Sequence, residues 1–202
     1  MSYKNFRFSD LKEQFGISQK TARLFTEPIK LIEPTAFLVS SLELAREMPL
    51  TTEKAVSESI LLPVLREVRN RNKEFIELFS GENLDAERSK GLNGECDFIF
   101  AKSPGSVELT APLIDICEAK KGDIDNPKAL AQNAAQLLGA RVYNQKRNLP
   151  YTNLYGVCTN GYEWVFLYLE NDVIYIDKDR YNLANLSQLL GVWQFVIDKM
   201  LK

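Results

Sequence analysis

The sequence predicts an α/β or α+β domain built on a central mixed sheet with flanking helices. The chain has 202 residues, 45% of them hydrophobic and 26% charged, which is the composition of a globular protein with one main domain. Helical and strand-like hydrophobic periods follow one another along it. A helix-sized segment separates the apolar strands at 113–120 and 154–159, which leaves room for a crossover between parallel strands.

The chain is divided into an N-terminal helical elaboration, residues 1–50, and a main domain, residues 51–202. Residues 9–15 predict a helix that Gly16 ends, and residues 34–48 predict a second one. The run GISQKTARLF offers thin evidence for a helix-turn-helix. A docked N-terminal segment is the favoured interpretation of it.

Residues 53–79 carry a helical period and are predicted to form one long helix. Pro63 lies inside it and should kink or divide the helix, because proline lacks the N–H for the bond four residues back. At 100° per residue, Glu58 falls at the edge of the buried stripe. A carboxylate there needs a partner or a metal.

Strands, a long helix and more strands follow. Segments 84–90 and 95–101 flank Gly91-Leu92-Asn93-Gly94 and predict a hairpin. The remaining predicted elements are a central strand at 113–120, a helix from Asn126 to about Arg147, strands at 154–159, 163–169 and 172–176, and a C-terminal helix at about 183–201.

Composition excludes several chemistries. The chain has no histidine, which rules out Ser-His-Asp and Cys-His catalysis, HNH-type nucleases and HExxH zinc sites. The three cysteines lack CxxC spacing and lie in predicted strands, where buried thiols of a reducing compartment are expected. No signal peptide or membrane span is evident, so a cytoplasmic location is predicted. The net charge of −2 argues against a strong, indiscriminate hold on nucleic acid.

Three side chains form a candidate catalytic site. Glu118 and Lys120 alternate on one strand and therefore project from one face, while Asp97 lies just after the Gly91–Gly94 turn. If the strands are neighbours, two carboxylates and an ammonium converge. Mg²⁺ prefers oxygen ligands and keeps several waters, so this set suits metal-dependent phosphodiester hydrolysis, with Mg²⁺ or Mn²⁺ as cofactor.

Asp97, a spacer and Glu118-x-Lys120 between a strand pair and a long helix resemble the PD-(D/E)XK motif of restriction-endonuclease-like nucleases. The resemblance covers roughly residues 53–160. It implies that Asp97 and Glu118 bind the metal and that Lys120 assists catalysis. Cys96 stands where the motif has proline.

The same resemblance implies further site residues. It assigns to Glu58 the acidic position on the first helix, and to Gln132 and Gln136 a polar pair similar to the QxxxY element of RecB-like nucleases. The runs GLNGECDFIF, APLIDICEAKKGDI, AQNAAQLLGARVYN and LYGVCTNGYEWVFL resemble a bacterial family common in cyanobacteria, and also the nuclease-like N-terminal part of type I restriction subunits.

The resulting hypothesis is a Mg²⁺-dependent nuclease acting on DNA, with RNA as an alternative substrate and a homodimer or partner protein as a possible assembly. The competing hypothesis is a non-catalytic nuclease-fold module that binds nucleic acid or a protein. At residue level, Glu118 and Lys120 could form a structural ion pair, Glu58 could bridge to Arg66 or another base, and Gln132 and Gln136 could lie on a solvated face.

Overall fold

A computed structural model describes residues 2–102, 105, 107–109, 113–119 and 122–201, with the backbone alone described for 113–119. Lys120 therefore lies outside the described residues, and so does the side chain of Glu118.

The strands build one mixed sheet. They are β1 (Ser18–Ala22), β2 (Glu77–Asn83), β3 (Glu95–Ala101), β4 (Leu113–Ala119), β5 (Leu154–Thr159), β6 (Glu163–Glu170), β7 (Val173–Asp177) and β8 (Tyr181–Asn182). Their order across the sheet is β1-β7-β6-β5-β4-β3-β2, and β8 pairs with β6. The β4–β5 and β1–β7 pairs are parallel, and the other pairs are antiparallel.

Helices flank the sheet. They are α1 (Phe8–Phe15), α2 (Ala36–Ala45), α3 (Glu53–Val56), α4 (Leu62–Arg71), α5 (Pro127–Lys146) and α6 (Leu186–Leu201). The long helix α5 connects the parallel strands β4 and β5, as the crossover prediction required. The mixed α/β architecture predicted from sequence is confirmed at this level. None of the helices in the described ranges has the length and apolar composition of a membrane-spanning helix.

The helices α5 and α6 lie on opposite faces of the sheet. Gly156 of β5 faces α5, since a Cβ there would come within 2.3 Å of Asn133 Oδ1. Gly156 is paired with Leu167 of β6. Phe166, the residue before Leu167 on that strand, contacts Trp193 of α6 with ring centroids 5.4 Å apart. Because neighbouring strand residues point to opposite faces, the sheet is covered on both sides.

The N-terminal segment contributes to the same sheet. The run proposed as a possible helix-turn-helix contains β1, which pairs in parallel with β7. The helix α1 ends at Gly16, whose φ of 72° lies in the left-handed region that glycine adopts without strain. This run therefore contributes an edge strand to the sheet.

Two predicted elements have the wrong boundaries. The helix predicted for 53–79 ends at Arg71, and 77–83 is a strand. The side chain of Asn72 bonds Val68 O and Gln194 Oε1 and fixes this end against α6. Ile76, just before β2, and Phe79, within it, are buried in this structure too, so the spacing of these apolar residues did not discriminate between helix and strand.

The predicted strand at 84–90 is also wrong. These residues form the distal loop of the β2–β3 hairpin, with a short 3₁₀-helix at Arg88–Lys90 and one isolated bridge between Glu87 and Leu92. The loop is held by backbone bonds such as Leu84 N–H to Gly94 O at 2.9 Å. The hairpin pairing therefore begins seven residues earlier in the chain than predicted.

Pro63 is accommodated without breaking the helix. A π-helical turn at Ser57–Leu61 connects α3 to α4, and Leu62 N–H bonds Ser57 O, five residues back. Such a turn holds one extra residue and commonly occurs inside α-helices. The segment from Glu53 to Arg71 is thus continuous, but the helical phase changes in front of Pro63.

The buried core contains two of the three cysteines. Cys96 on β3 and Cys158 on β5 are both buried, which confirms the predicted burial for this pair. Cys117 lies on β4, and its side chain is outside the described residues.

Candidate active site

Asp97 lies near the beginning of β3 and is half-buried. Its neighbours Cys96 and Phe98 are buried at 0% and 3% exposure, whereas Glu95 is exposed. Since side chains alternate along a strand, Glu95 and Asp97 project from the opposite face to Cys96 and Phe98. The strand thus presents two carboxylates, two residues apart, on one side.

The sheet pairs β3, which carries Asp97, with β4, which carries Glu118. Phe98 of β3 pairs with Cys117 of β4 in an antiparallel ladder. The preceding position on β3 is Asp97 and the following position on β4 is Glu118, so an unbroken ladder sets these two residues opposite each other. Directly opposed residues in antiparallel strands have Cα atoms about 4.5–5.5 Å apart. On its other side, Glu118 pairs with Cys158 of β5.

Asp97 lines an open cleft of about 750 Å³. The start of the helical segment 53–71 forms one wall, and the β2–β3 hairpin forms the other. Carboxylates contribute from both walls: Glu53, Glu58, Glu95 and Asp97. The structure therefore brings Glu58 and Asp97, which are distant in sequence, to one cleft.

Glu58 is not at the edge of the buried stripe, as its helical phase predicted. Its side chain is 63% exposed and forms a bridge with Lys54, Oε1 to Nζ at 3.8 Å. The π-helical turn lies between Glu58 and Leu65, the residue used to place it, and the count of 100° per residue fails across such a turn. The alternative of a salt bridge to a base holds, with Lys54 in place of Arg66.

Gln132 and Gln136 are buried, at 5% and 0% exposure, so the solvated-face alternative is wrong. Gln136 Oε1 accepts a hydrogen bond from Asn133 Nδ2 at 3.4 Å. Helix α5 is covered by the sheet on one side and by Tyr3 on another, which explains the burial. The described cleft lining includes neither glutamine.

Two arginines at the end of α4, Arg69 and Arg71, have acidic partners. Arg69 makes a two-bonded pair with Glu77, Nε to Oε1 at 2.9 Å and Nη2 to Oε2 at 2.7 Å. This interaction holds the pKa of Glu77 below its usual range. Arg71 donates from Nε and Nη2 to a single oxygen, Glu67 Oε1, at 2.9 and 2.7 Å, so both arginines stabilise the fold around α4.

Sequence reasoning missed two acidic residues of the cleft, Glu53 and Glu95. Glu95 could have been predicted from the sequence. It lies two residues before Asp97 on a predicted strand, so both side chains must project from the same face. Glu53 could not be found this way, because its position depends on how the helix docks against the hairpin.

The donor chemistry of the cleft suits a hard divalent cation, since carboxylate oxygens are the ligands that Mg²⁺ prefers. Among residues whose side chains are described, no three acidic or cysteine groups converge closely enough to hold a metal ion. The side chain of Glu118 is not among those residues.

Comparison of the chain with models of known protein families gives no match, and comparison with curated proteins gives none either.

Proposed function

We propose that the protein is a Mg²⁺-dependent phosphodiester hydrolase acting on DNA, with a PD-(D/E)XK-type site. The observation that carries the proposal is the pairing of Phe98 with Cys117, because one further step of that ladder would set Asp97, which lines an acidic cleft, opposite Glu118. Mg²⁺ is commonly bound in proteins through one or two carboxylates while it keeps several waters, and a bound water can act as the nucleophile.

The topology supports the same proposal. The restriction-endonuclease-like core runs helix, three strands, crossover helix, strand. In this chain α4, β2, β3, β4, α5 and β5 follow that order, with β3 antiparallel to β4 and β4 parallel to β5. The candidate carboxylates lie on the middle two of these four strands.

Each residue receives a role. Asp97 and Glu118 hold the cation, which when bound neutralises charge on the phosphate and acidifies a water molecule. Glu58 is an exposed carboxylate whose bridge to Lys54 contributes little stability, so it can turn toward the cation at low cost. Lys120 is proposed to orient the attacking water, and Gln132 and Gln136 to support the site from α5.

Titration calorimetry with Mg²⁺ and Mn²⁺ tests the metal site. We expect binding by the wild type and loss of binding in Asp97→Asn and Glu118→Gln. Glu74→Gln is a matched control, because Glu74 is an exposed carboxylate just beyond α4 and outside the cleft lining. Equal metal binding by all four proteins would remove the proposed site.

Cleavage of end-labelled single- and double-stranded DNA, with RNA of the same sequence in parallel, tests the reaction. Lys120→Met should lower turnover by about 100-fold, the usual lower range for loss of an acid–base group, while metal affinity persists. DNA binding without metal binding or cleavage would instead establish the non-catalytic module.

A further inference from the structure

A second, largely apolar pocket of about 420 Å³ lies between α2 and the residues that precede α6. Its walls include Val39 and Leu42 of α2, Ile60 of the π-helical turn and Leu186 of α6. Polar groups at its border come from Glu43, Arg46 and Asn182. Its volume is in the range of pockets that bind small organic groups, and such pockets typically combine apolar walls with a few polar groups.

Tyr162 lines this pocket and is half-exposed, at 50%. Its backbone is fixed: Tyr162 N–H donates to Asn160 Oδ1 at 3.0 Å, and Tyr162 O accepts from Leu183 N–H at 2.7 Å. The preceding Gly161 packs so closely on Val56 that a Cβ would lie 2.5 Å from Val56 Cγ1. A firmly held turn therefore presents an aromatic ring to the pocket.

The pocket and the acidic cleft are neighbours on the surface. Leu50 and Tyr162 also line a smaller cavity of about 160 Å³, and that cavity shares Thr51, Thr52 and Glu53 with the cleft. Segment 50–53 thus borders all three cavities, and together they are called the groove between the carboxylates of the cleft and Tyr162.

We propose that the pocket receives an unstacked nucleobase from a single strand whose phosphate lies in the acidic cleft. The inference rests on the proposed function and adds a base-binding site and a strandedness to it. The face of Tyr162 offers a stacking surface for any base. Arg46 and Asn182 offer donors, and Glu43 an acceptor, to a base edge.

The preference for a single strand follows from the cost of unstacking a base. A base inside a duplex must first leave its stack and its partner, which costs several kcal/mol. A base in a single strand reaches Tyr162 without breaking a base pair. The groove should therefore hold a single strand more tightly than a duplex of the same sequence.

Fluorescence anisotropy of a labelled single-stranded DNA of about 15 nucleotides tests this site. The measurement is made in Ca²⁺, which like Mg²⁺ takes oxygen ligands, so that the carboxylates of the cleft do not repel the phosphate, and a gel verifies that the strand stays intact. Tyr162→Ala should weaken binding about tenfold, as expected for loss of one stacked base, and Tyr162→Phe should bind like the wild type. Phe75→Ala is the matched control, because Phe75 is 54% exposed and outside the groove lining.

An abasic nucleotide moved along the strand identifies the base. One position should weaken wild-type binding about tenfold and Tyr162→Ala binding no further, since both changes remove the same stack. Absence of wild-type binding, unchanged binding by Tyr162→Ala, or equal losses on duplex DNA would each overturn the inference. Tyr162-dependent binding by a wild-type protein that cleaves nothing would keep the base site and remove the hydrolase.

Discussion

Gly139 lies in the interior of α5, where alanine would ordinarily stabilise the helix by about 1 kcal/mol. We predict the opposite here. A Cβ at Gly139 would lie 2.1 Å from Tyr3 Oη and 2.8 Å from Tyr3 Cζ. Contacts below 3 Å are not tolerated, so the Tyr3 ring must move.

Moving Tyr3 has a calculable cost. The side chain is 1% exposed, and its hydroxyl donates to Leu84 O at 2.8 Å. Withdrawing the ring forfeits about 2–3 kcal/mol of burial and about 1 kcal/mol for the hydrogen bond. The higher helix propensity of alanine offsets about 1 kcal/mol of this loss. Gly139→Ala should therefore destabilise the protein by about 2–3 kcal/mol.

A double-mutant cycle separates the two contributions. In a Tyr3→Ala background the ring that blocks the new Cβ is absent. Gly139→Ala should then stabilise the protein by up to about 1 kcal/mol. Urea unfolding followed by the fluorescence of the buried Trp164 and Trp193 reports both values. The same sign of Gly139→Ala in the two backgrounds would refute the packing argument.

Two further changes test the ion pair and the sheet–helix contact. Arg69→Met should lower stability by about 1–2 kcal/mol near pH 7. Arg69 lowers the pKa of Glu77 in the native state. The stability difference between wild type and Arg69→Met should therefore be complete above the unfolded-state pKa of Glu77 and disappear as the pH falls toward about 3. Thermal melts in which this difference does not depend on pH would contradict the prediction. Gly156→Ala places a Cβ 2.3 Å from Asn133 Oδ1 and 2.9 Å from Leu137 Cδ1 and should cost about 2 kcal/mol in urea unfolding, whereas a neutral effect would mean that α5 can move.

Elements with strong local signals were predictable from the sequence. The strands β5, β6 and β7 are separated by turns whose residue types favour a turn, such as Asn160-Gly161. Helix α5 begins at Pro127 with Asn126 as its cap, as those residue types favour. In each case the determinants lie within a few residues of the boundary.

The errors arose where distant contacts decide the structure. The end of α4 is fixed by Asn72 bonding Gln194, which lies 122 residues away. The hairpin register depends on pairing between β2 and β3 rather than on the turn-rich residues at 91–94. Neither contact has a local sequence signature.

The residue types of the candidate site could be predicted from the sequence, but the relative positions of their side chains were harder to predict. The spacing of Asp97 and Glu118 on strands suggested neighbours, and the ladder from Phe98 and Cys117 agrees with it. Glu58 was assigned to the site by resemblance and lines the cleft, but its predicted burial was wrong. The groove that ends at Tyr162 joins segments far apart in sequence and could be found only in three dimensions.

The π-helical turn at Ser57–Leu61 has a consequence for how this cleft can vary. Removing one residue from that turn would restore an ordinary α-helical repeat and rotate everything upstream by about 100° relative to α4. Glu53, Lys54 and Thr52 would then face elsewhere, while the apolar residues after Pro63 would keep their contacts with the sheet. A single-codon deletion could thus exchange the whole polar wall opposite Asp97 and leave the core sequence unchanged.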